Sequence, residues 1–238
     1  PVQPTPVQAA APQTAAPMVA VMSEFEASAA GPFGYPETAD KENFWLYEVA
    51  GAPHSDPMSP ILPNFAELTK ANTKGAPVTD KDYAKGEYES ELQLDQVVTG
   101  ALDNLVKRIK DNTFKMPSAE KIRIEVGKKD AYGNTKGGIR MPQIEAPLAT
   151  FKASASKPDG TPNPSATHGS MVYLTWGDLV KRYGEDADEK TAQVSDLFAN
   201  YKEAFADAAN ALCEAGFIRA TERDALIAWS EDQESIFE

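Results

Sequence analysis

The 238-residue chain carries 23 lysine and arginine residues against 36 aspartate and glutamate residues, which gives a net charge of −13. This charge repels nucleic-acid phosphates and anionic lipids, so we expect no nucleic-acid partner. One cysteine and two widely separated histidines exclude a disulfide and a cysteine- or histidine-rich metal site. No apolar run reaches the roughly 20 residues of a membrane-spanning helix, so we expect a soluble protein without a membrane span. We also expect no cofactor.

Residues 1–17 are rich in proline, alanine and glutamine, a composition that predicts an extended linker. They contain no initiator methionine, no charged leading region and no long apolar stretch, so they do not match a signal peptide. We expect that the chain either arises by proteolytic processing of a longer precursor or is one part of a longer protein.

Two short apolar segments predict buried strands. Residues 18–22 form a continuous apolar run, and residues 44–50 are rich in aromatic and β-branched side chains and stop at Gly51. The polar residues 23–26 predict a strand-to-loop exit, and the proline- and glycine-containing residues 54–88 predict mostly loop.

A helix is predicted from Asp95, which resembles an N-cap, to about residue 111. We expect its apolar face to lie against a sheet; this face consists of Val97, Val98, Ala101, Leu102, Leu105, Val106 and Ile109. Residues 122–126 predict a short strand, residues 130–134 a turn, and residues 152–170 a surface loop.

The C-terminal region is predicted to be helical. Apolar residues at spacings of three and four predict an amphipathic helix from Val194 that ends at Gly216. Thr221 and Asp224 then predict the start of a last helix toward Asp232. The apolar stripe of the first helix could form a partner or cofactor groove, but packing within the chain's own core is favoured.

Titratable groups follow both predicted strands, with an acid first and a histidine second. Glu24 and Glu26 come directly after the first strand, and His54 follows the second strand and a glycine-containing turn. The 28 positions from Glu26 to His54 allow one crossover and a return strand that bring both groups to the same edge of a parallel sheet. A carboxylate there can orient the imidazole and stabilise the imidazolium formed when histidine takes a proton from a serine.

Two segments carry a resemblance to a known family: FWLYEVAGAPHSD, which contains His54, and DAYGNTKGGIRMPQIEAPLATF further along the chain. They resemble the patterns W-E-V-A-G-x-x-H-A-D and D-x-x-G-N-x-x-G-G-I-R-x-P-x-x-x-x-P-x-A-T-Y of a little-characterised branch of the α/β-hydrolase superfamily. The resemblance implies an α/β fold in which residues 18–151 are the C-terminal part of the hydrolase sheet. The helical tail after GSMVYLTW fits the family's ending, and residues 152–238 are expected to form a loop and a helical tail that pack on the same domain.

The resemblance also implies roles for individual residues. His54 lies where the family has its catalytic histidine. Residues 23–26 match a T-E-T-D-like tetrapeptide, so that Glu26 occupies the acid position, where the family often has aspartate. Glu24 remains the alternative acid.

No nucleophile can be recognised in the chain. The α/β-hydrolase order of nucleophile, acid and histidine requires a serine upstream of Glu26 on a G-x-S-x-G turn, and no such motif occurs in the sequence. Ser170 lacks the second glycine and the strand-turn-helix context, and Ser55 is in the wrong chain order. We therefore expect the serine, and the oxyanion hole with it, to come from an upstream segment or a separate polypeptide.

Arg140 belongs to an unusual cluster with Asp130, Asn134 and several glycines. It could anchor an anionic group of a substrate, but a structural cation that pairs with a carboxylate or with backbone carbonyls is the favoured interpretation.

Two functions follow from these observations. The first is the acid- and histidine-bearing part of an esterase-type serine hydrolase that acts on small ester-like substrates and is inactive without the part carrying the nucleophile. The second is a non-catalytic structural or binding subunit on a hydrolase scaffold. An acidic, cysteine-poor and processed chain weakly favours a periplasmic or secreted location.

Overall fold

A computed structural model describes residues 16–28, 43–54, 83–92, 94–122, 128–163 and 168–237 of the chain. Several sequence predictions lie outside these residues: the linker up to residue 15, most of the long loop after His54, and nearly all of the strand predicted at 122–126.

The described elements comprise short strands, mostly before residue 174, and helices that dominate the C-terminal region. The strands are β1 (Met18–Ser23), β2 (Phe44–Val49), β3 (Tyr88–Glu89), β4 (Ala149–Lys152), β5 (Ala155–Ser156), β6 (Pro162–Asn163) and β7 (Ser170–Tyr173). The helices are α1 (Glu24–Ser28), α2 (Asp95–Lys110), α3 (Pro142–Glu145), α4 (Trp176–Tyr183), α5 (Val194–Glu214) and α6 (Ala220–Ser230), followed by a 3₁₀ turn at Glu234–Phe237. The mixed α/β class predicted from the sequence is confirmed.

The two apolar segments predicted as strands pair with each other in parallel, with Met18 opposite Phe44 and Ser23 opposite Val49. On the far side of β2, Ile139 exchanges backbone hydrogen bonds with Glu48 and Ala50. Within the described residues β2 thus has neighbours on both edges, whereas β1 pairs with β2 alone. Because parallel strands point the same way, the carboxyl ends of β1 and β2 lie side by side, and this edge carries the candidate site.

The remaining strands form two small antiparallel sheets. β7 lies between β3 and β4, and β5 pairs with β6. The region 152–170, predicted as a plain surface loop, therefore contains a short hairpin. The predicted turn at 130–134 is confirmed, because the backbone N–H of Gly133 donates to the carbonyl of Asp130 and Gly133 has a φ of 80°.

The C-terminal helices pack around a cluster of aromatic rings: Tyr183, Phe198, Tyr201, Phe205, Trp229 and Phe237. The core packing predicted for the apolar stripe of α5 is confirmed, since Leu197, Tyr201 and Phe205 of that stripe are almost fully buried. The predicted end of this helix at Gly216 is also confirmed, with Gly216 in the left-handed region just after the last helical turn.

Two predicted helix starts were wrong. Asp95 is the first residue of α2 rather than its N-cap, which is Leu94. The last helix begins at Ala220 after Arg219, without a side-chain cap, so Thr221 and Asp224 do not form the predicted start. In both cases tertiary packing stabilises the helix without a local capping residue.

The buried face of α2 also differs from the predicted one. Gly100 and Asn104 lie on the buried face, where Asn104 Nδ2 donates to the carbonyl of Gly216 at 2.6 Å. A Cβ at Gly100 would lie 2.2 Å from the carbonyl oxygen of Phe217, so only glycine allows this close approach. This contact turns the helix so that Leu102, Val106 and Ile109, predicted to face a sheet, are exposed.

Candidate functional site

The segment after β1 contains both candidate acids and turns immediately into helix α1. Ser23 and Glu26 cap this helix reciprocally, because the Ser23 backbone N–H donates to Glu26 Oε2 at 3.2 Å and the Glu26 N–H donates to Ser23 Oγ at 3.5 Å. This is the Ser-x-x-Glu capping box, and it fixes the Glu26 carboxylate beside the end of the strand. The sequence interpretation of these residues as a loop exit was therefore wrong, although the capping signal was present in it.

Glu26 and His54 are in direct contact. Glu26 Oε1 faces Nδ1 of His54, while Glu26 Oε2 accepts the hydrogen bonds from Ser23. One carboxylate thus belongs to the helix cap through one oxygen and to the imidazole through the other.

Glu24 lies in a different environment and makes no contact with His54. Its Oε2 accepts the backbone N–H of Gly51 at 2.6 Å, and its Oε1 accepts the hydroxyl of Thr135 at 2.7 Å and faces Lys129 Nζ at 3.3 Å. The carboxylate is buried and bridges three segments of the chain. The structure therefore brings Glu26 rather than Glu24 to the imidazole.

The turn that presents His54 is tightly packed. Gly51 has a φ of 72°, and a Cβ there would lie 2.4 Å from Cδ1 of Ile144. The carbonyl of Ala52 accepts the backbone N–H of Phe25 at 3.3 Å, which joins this turn directly to α1. The phenyl ring of Phe25 lies 5.6 Å from the imidazole, centroid to centroid. These contacts hold the histidine and its acid on two segments that touch each other.

His54 is the more exposed member of the pair. About half of its side chain is exposed, whereas the Glu26 side chain is more sheltered. In the described part of the chain Nε2 has no hydrogen-bond partner. Such an arrangement suits a general base, because the histidine side chain is accessible while a carboxylate contacts its Nδ1.

Arg140 is engaged within its own loop. Its Nε donates to Glu145 Oε1 at 2.6 Å and its Nη2 donates to Asp130 Oδ2 at 2.8 Å, while Nη1 donates to the carbonyl of Thr135. Each guanidinium nitrogen thus has a partner. These contacts agree with the structural interpretation of Arg140, and nothing in them supports its alternative role as a substrate anchor.

Of the two serines weighed as nucleophiles, Ser170 lies in the described structure and does not contact the imidazole. Ser170 is fully buried at the start of β7, with its hydroxyl donating to the carbonyl of Ser154 at 3.2 Å. Ser55 lies outside the described residues. The described side of the site thus contains an acid and a base but no candidate nucleophile in contact with them.

Sequence reasoning missed the residues that support the acids: Ser23, Gly51, Lys129 and Thr135. The Ser23–Glu26 spacing was a readable signal for the first of them. Thr135 and Lys129 lie more than 100 positions from Glu24, and no local pattern indicates such a contact.

A second histidine–glutamate pair lies elsewhere in the molecule. Nδ1 of His168, just before β7, lies 2.7 Å from Oε1 of Glu89 on β3. The neighbouring Glu87 accepts from Lys152 Nζ and from the backbone N–H of Ser156. Burial raises the pKa of Glu87, but these hydrogen bonds outweigh it and hold the pKa below the ordinary glutamate value.

No group of three or more histidine, cysteine, aspartate or glutamate side chains among the described residues could hold a metal ion. None of the described helices has the length and apolarity to cross a membrane.

Comparison with known proteins gave one match. A family model described as an alpha/beta hydrolase domain matches residues 2–228, which is nearly the whole chain. Neither the comparison with curated proteins nor that with solved structures gave a match.

Proposed function

Because the chain belongs to the alpha/beta hydrolase domain family, we propose that it is the acid- and histidine-bearing part of a serine hydrolase that cleaves carboxylic esters or related acyl compounds. The observation that carries this proposal is the Glu26–His54 pair at the carboxyl ends of two adjacent parallel strands, with about half of the His54 side chain exposed. Family membership supports a hydrolase in general, and the pair supports the acid–base chemistry.

In the proposed reaction, His54 Nε2 removes the proton from a serine hydroxyl as the serine oxygen attacks the acyl carbon. Glu26 holds the proton on Nδ1, so that Nε2 is the basic nitrogen, and stabilises the imidazolium that forms. His54 then returns the proton to the leaving alcohol. In the second half, His54 removes a proton from water, which attacks the acyl-enzyme, and returns it to the serine as the carboxylic acid leaves.

The serine and the oxyanion hole are proposed to come from a polypeptide segment outside the sequence described here, either upstream in the same precursor or on a separate chain. This assignment rests on the absence of a G-x-S-x-G motif in the 238 residues and on the family's order of nucleophile, acid and histidine. Glu24 is proposed as a positioning residue that ties α1 to the Gly51 turn, because its oxygens are engaged there and not at His54.

The test uses protein purified from its native source through a C-terminal tag on this chain. Hydrolysis of p-nitrophenyl acetate and butyrate is measured, and the preparation is then treated with a fluorescent fluorophosphonate that modifies activated serines. We expect ester hydrolysis, and a label on a peptide that contains G-x-S-x-G and is absent from residues 1–238.

The control is the His168→Ala variant, which removes the other histidine. We expect His54→Ala to abolish both hydrolysis and labelling, and His168→Ala to retain them. Full activity in His54→Ala, or no labelled serine in the wild-type preparation, would contradict the proposal and favour a non-catalytic subunit.

A further inference from the structure

The loop from Lys129 to Arg140 takes no part in the proposed reaction, yet it contacts the candidate site. Lys129 and Thr135 lie opposite each other in an antiparallel bridge that closes the first part of this loop. Both side chains reach Glu24: the Thr135 hydroxyl donates to Oε1 at 2.7 Å, and Lys129 Nζ lies 3.3 Å from the same oxygen. The bridge thus places two donors on one carboxylate oxygen.

Hydrogen bonds within the Lys129–Arg140 loop fix its shape. Asp130 Oδ1 accepts the backbone N–H groups of Tyr132 and Asn134, both at 2.9 Å. Asn134 is fully buried; its Nδ2 donates to the carbonyl of Ala149, and its Oδ1 accepts the N–H of Phe151 at 2.8 Å. The loop is therefore anchored to β4, and the backbone that carries the two donors has a fixed position.

The hydrogen bonds at Glu24 have a fixed direction. A lysine ammonium has donors and no acceptor, so Thr135 Oγ1 accepts from Lys129 Nζ and its single proton is left for Glu24. The other carboxylate oxygen accepts the backbone N–H of Gly51 at 2.6 Å. All three of these groups are donors, as an ionised carboxylate requires, and Lys129 also supplies the opposite charge that a buried carboxylate needs.

Glu24 connects this network to both members of the Glu26–His54 pair. It lies two residues before Glu26 on α1, and Gly51 lies three residues before His54. If the Glu24 carboxylate turned away, α1 and the Gly51 turn would lose a buried hydrogen bond that joins them. The imidazole could then shift against its acid, and a small misplacement of a reacting group slows proton transfer.

We propose that Lys129 and Thr135 are positioning residues that hold His54 against Glu26 through the carboxylate of Glu24. For its effect on turnover this inference rests on the proposed function. Its effect on the Glu26–His54 contact can be measured without turnover.

The kinetic test changes the Thr135 hydroxyl in tagged protein purified from its native source. We expect Thr135→Val to lower kcat for p-nitrophenyl butyrate about tenfold or more and to leave KM within about twofold, because a misplaced imidazole affects proton transfer more than ester binding. Thr135→Ser keeps the hydroxyl and is expected to retain kcat within about threefold.

The matched control is Thr150→Val. It removes a hydroxyl that donates to the carbonyl of Tyr132 in the same loop and makes no contact with Glu24. We expect kcat of Thr150→Val to stay within about twofold of wild type, so that a general loosening of the loop is separated from the loss of the Glu24 contact.

A second set of variants tests the lysine, whose side chain is half-exposed and can be changed with less effect on folding. Lys129→Met removes the charge and the donors and is expected to lower kcat about fivefold or more, whereas Lys129→Arg keeps the charge and is expected to stay within about twofold. Lys136→Met is the control, because it removes the same charge from an exposed position of the same loop. If Thr135→Val does not fold, the Lys129 variants decide alone.

The spectroscopic test does not depend on turnover. Glu26 faces Nδ1 of His54, so the neutral imidazole should carry its proton on Nδ1 in the wild type. Nitrogen NMR of protein labelled with ¹⁵N-histidine measures the ratio of the two neutral tautomers, and the His54 signals are those lost in His54→Ala. We expect Thr135→Val and Lys129→Met to lower the ratio of the Nδ1–H to the Nε2–H form about fivefold or more, and Thr150→Val and Lys136→Met to leave it within about twofold.

The outcomes separate this inference from the proposed function. A changed tautomer ratio in Thr135→Val and Lys129→Met alone, in protein that neither hydrolyses esters nor reacts with the fluorophosphonate, would support the positioning role and contradict the catalytic proposal. An active wild type with unchanged kcat and tautomer ratio in both variants would support the catalytic proposal and overturn the positioning role. Equal changes in the control variants, or a lower kcat with an unchanged tautomer ratio, would also overturn it.

Discussion

The chain contains two histidine–glutamate pairs that use the same atoms but have opposite exposure. At the candidate site the His54 side chain is 53% exposed and Glu26 is 23% exposed, whereas in the second pair His168 is 14% exposed and Glu89 is 44% exposed. A proton-transfer site needs a reachable imidazole with its acid sheltered behind it. The first pair meets that requirement, while the second has its carboxylate outside and its imidazole inside.

The two pairs also differ in the parts of the fold that they connect. Glu26 and His54 sit on segments joined by the Phe25–Ala52 backbone hydrogen bond and by the Glu24–Gly51 hydrogen bond. His168 and Glu89 join β7 to β3 within one antiparallel sheet. We therefore expect changes at the first pair to affect turnover, and changes at the second to affect folding stability.

The largest difference in turnover is expected between variants of Glu26 and of Glu89, the acids of the first and second pairs. Glu26→Gln replaces the carboxylate with a neutral amide that cannot stabilise the imidazolium, and we expect turnover of p-nitrophenyl esters to fall by about 10²- to 10⁴-fold. Glu89→Gln is the matched control and is expected to leave turnover within about twofold. Equal losses in both variants would remove the distinction between the pairs.

Glu24→Ala tests the support beneath the first pair. The substitution leaves the buried N–H of Gly51 and the hydroxyl of Thr135 without their acceptor, at a cost of about 1–3 kcal/mol in the free energy of unfolding. Urea denaturation of the purified protein measures this cost. A larger loss of turnover in folded Glu24→Ala than in Glu26→Gln would show that the two acids had been assigned in the wrong order.

The second pair is expected to contribute to stability alone. His168→Ala removes a mostly buried side chain and its contact with Glu89, and we expect the free energy of unfolding to fall by about 1–2 kcal/mol. Ester turnover per folded molecule should not change. Loss of turnover in protein that remains folded, as judged by circular dichroism, would contradict this role.

The smallest expected effect concerns Glu87, beside the second pair. Its lowered pKa means that the ionised form stabilises the fold; this contribution is complete above the ordinary glutamate pKa and is lost as the pH falls through the lower folded value. Glu87→Gln should cost on the order of 0.5 kcal/mol at pH 7, allowing for solvent screening, and less at pH 3. Urea titrations at both pH values measure the difference, and an equal cost at both would exclude the ionic contribution.

The sequence predicted those parts of the structure that depend on local pattern. The apolar runs at 18–22 and 44–50 indicated the two strands. The polar residues that follow these strands indicated Glu26 and His54 as candidate site residues. The resemblance added the chain order of nucleophile, acid and histidine that is expected of the family. The Ser23–Glu26 capping box was equally local and was misread as a loop, because residues that cap a helix also favour turns.

The rest depended on contacts between distant residues. Val97 and Ala101 of the predicted apolar face of α2 are buried as expected, but Leu102, Val106 and Ile109 are exposed, because Gly100 and Asn104 dock on the turn at residues 216–217. The preference for Glu26 came from register alone. The physical distinction between the two acids requires Thr135 and Lys129, which no pattern near Glu24 reveals.

The central claim is that His54 activates a serine supplied by another polypeptide segment. It is tested most directly by the rate constant of fluorophosphonate labelling in three preparations: wild type, His54→Ala and His168→Ala. We expect His54→Ala to slow labelling by about 10³-fold or more while His168→Ala stays within about twofold of wild type. Labelling of His54→Ala at the wild-type rate would contradict the claim.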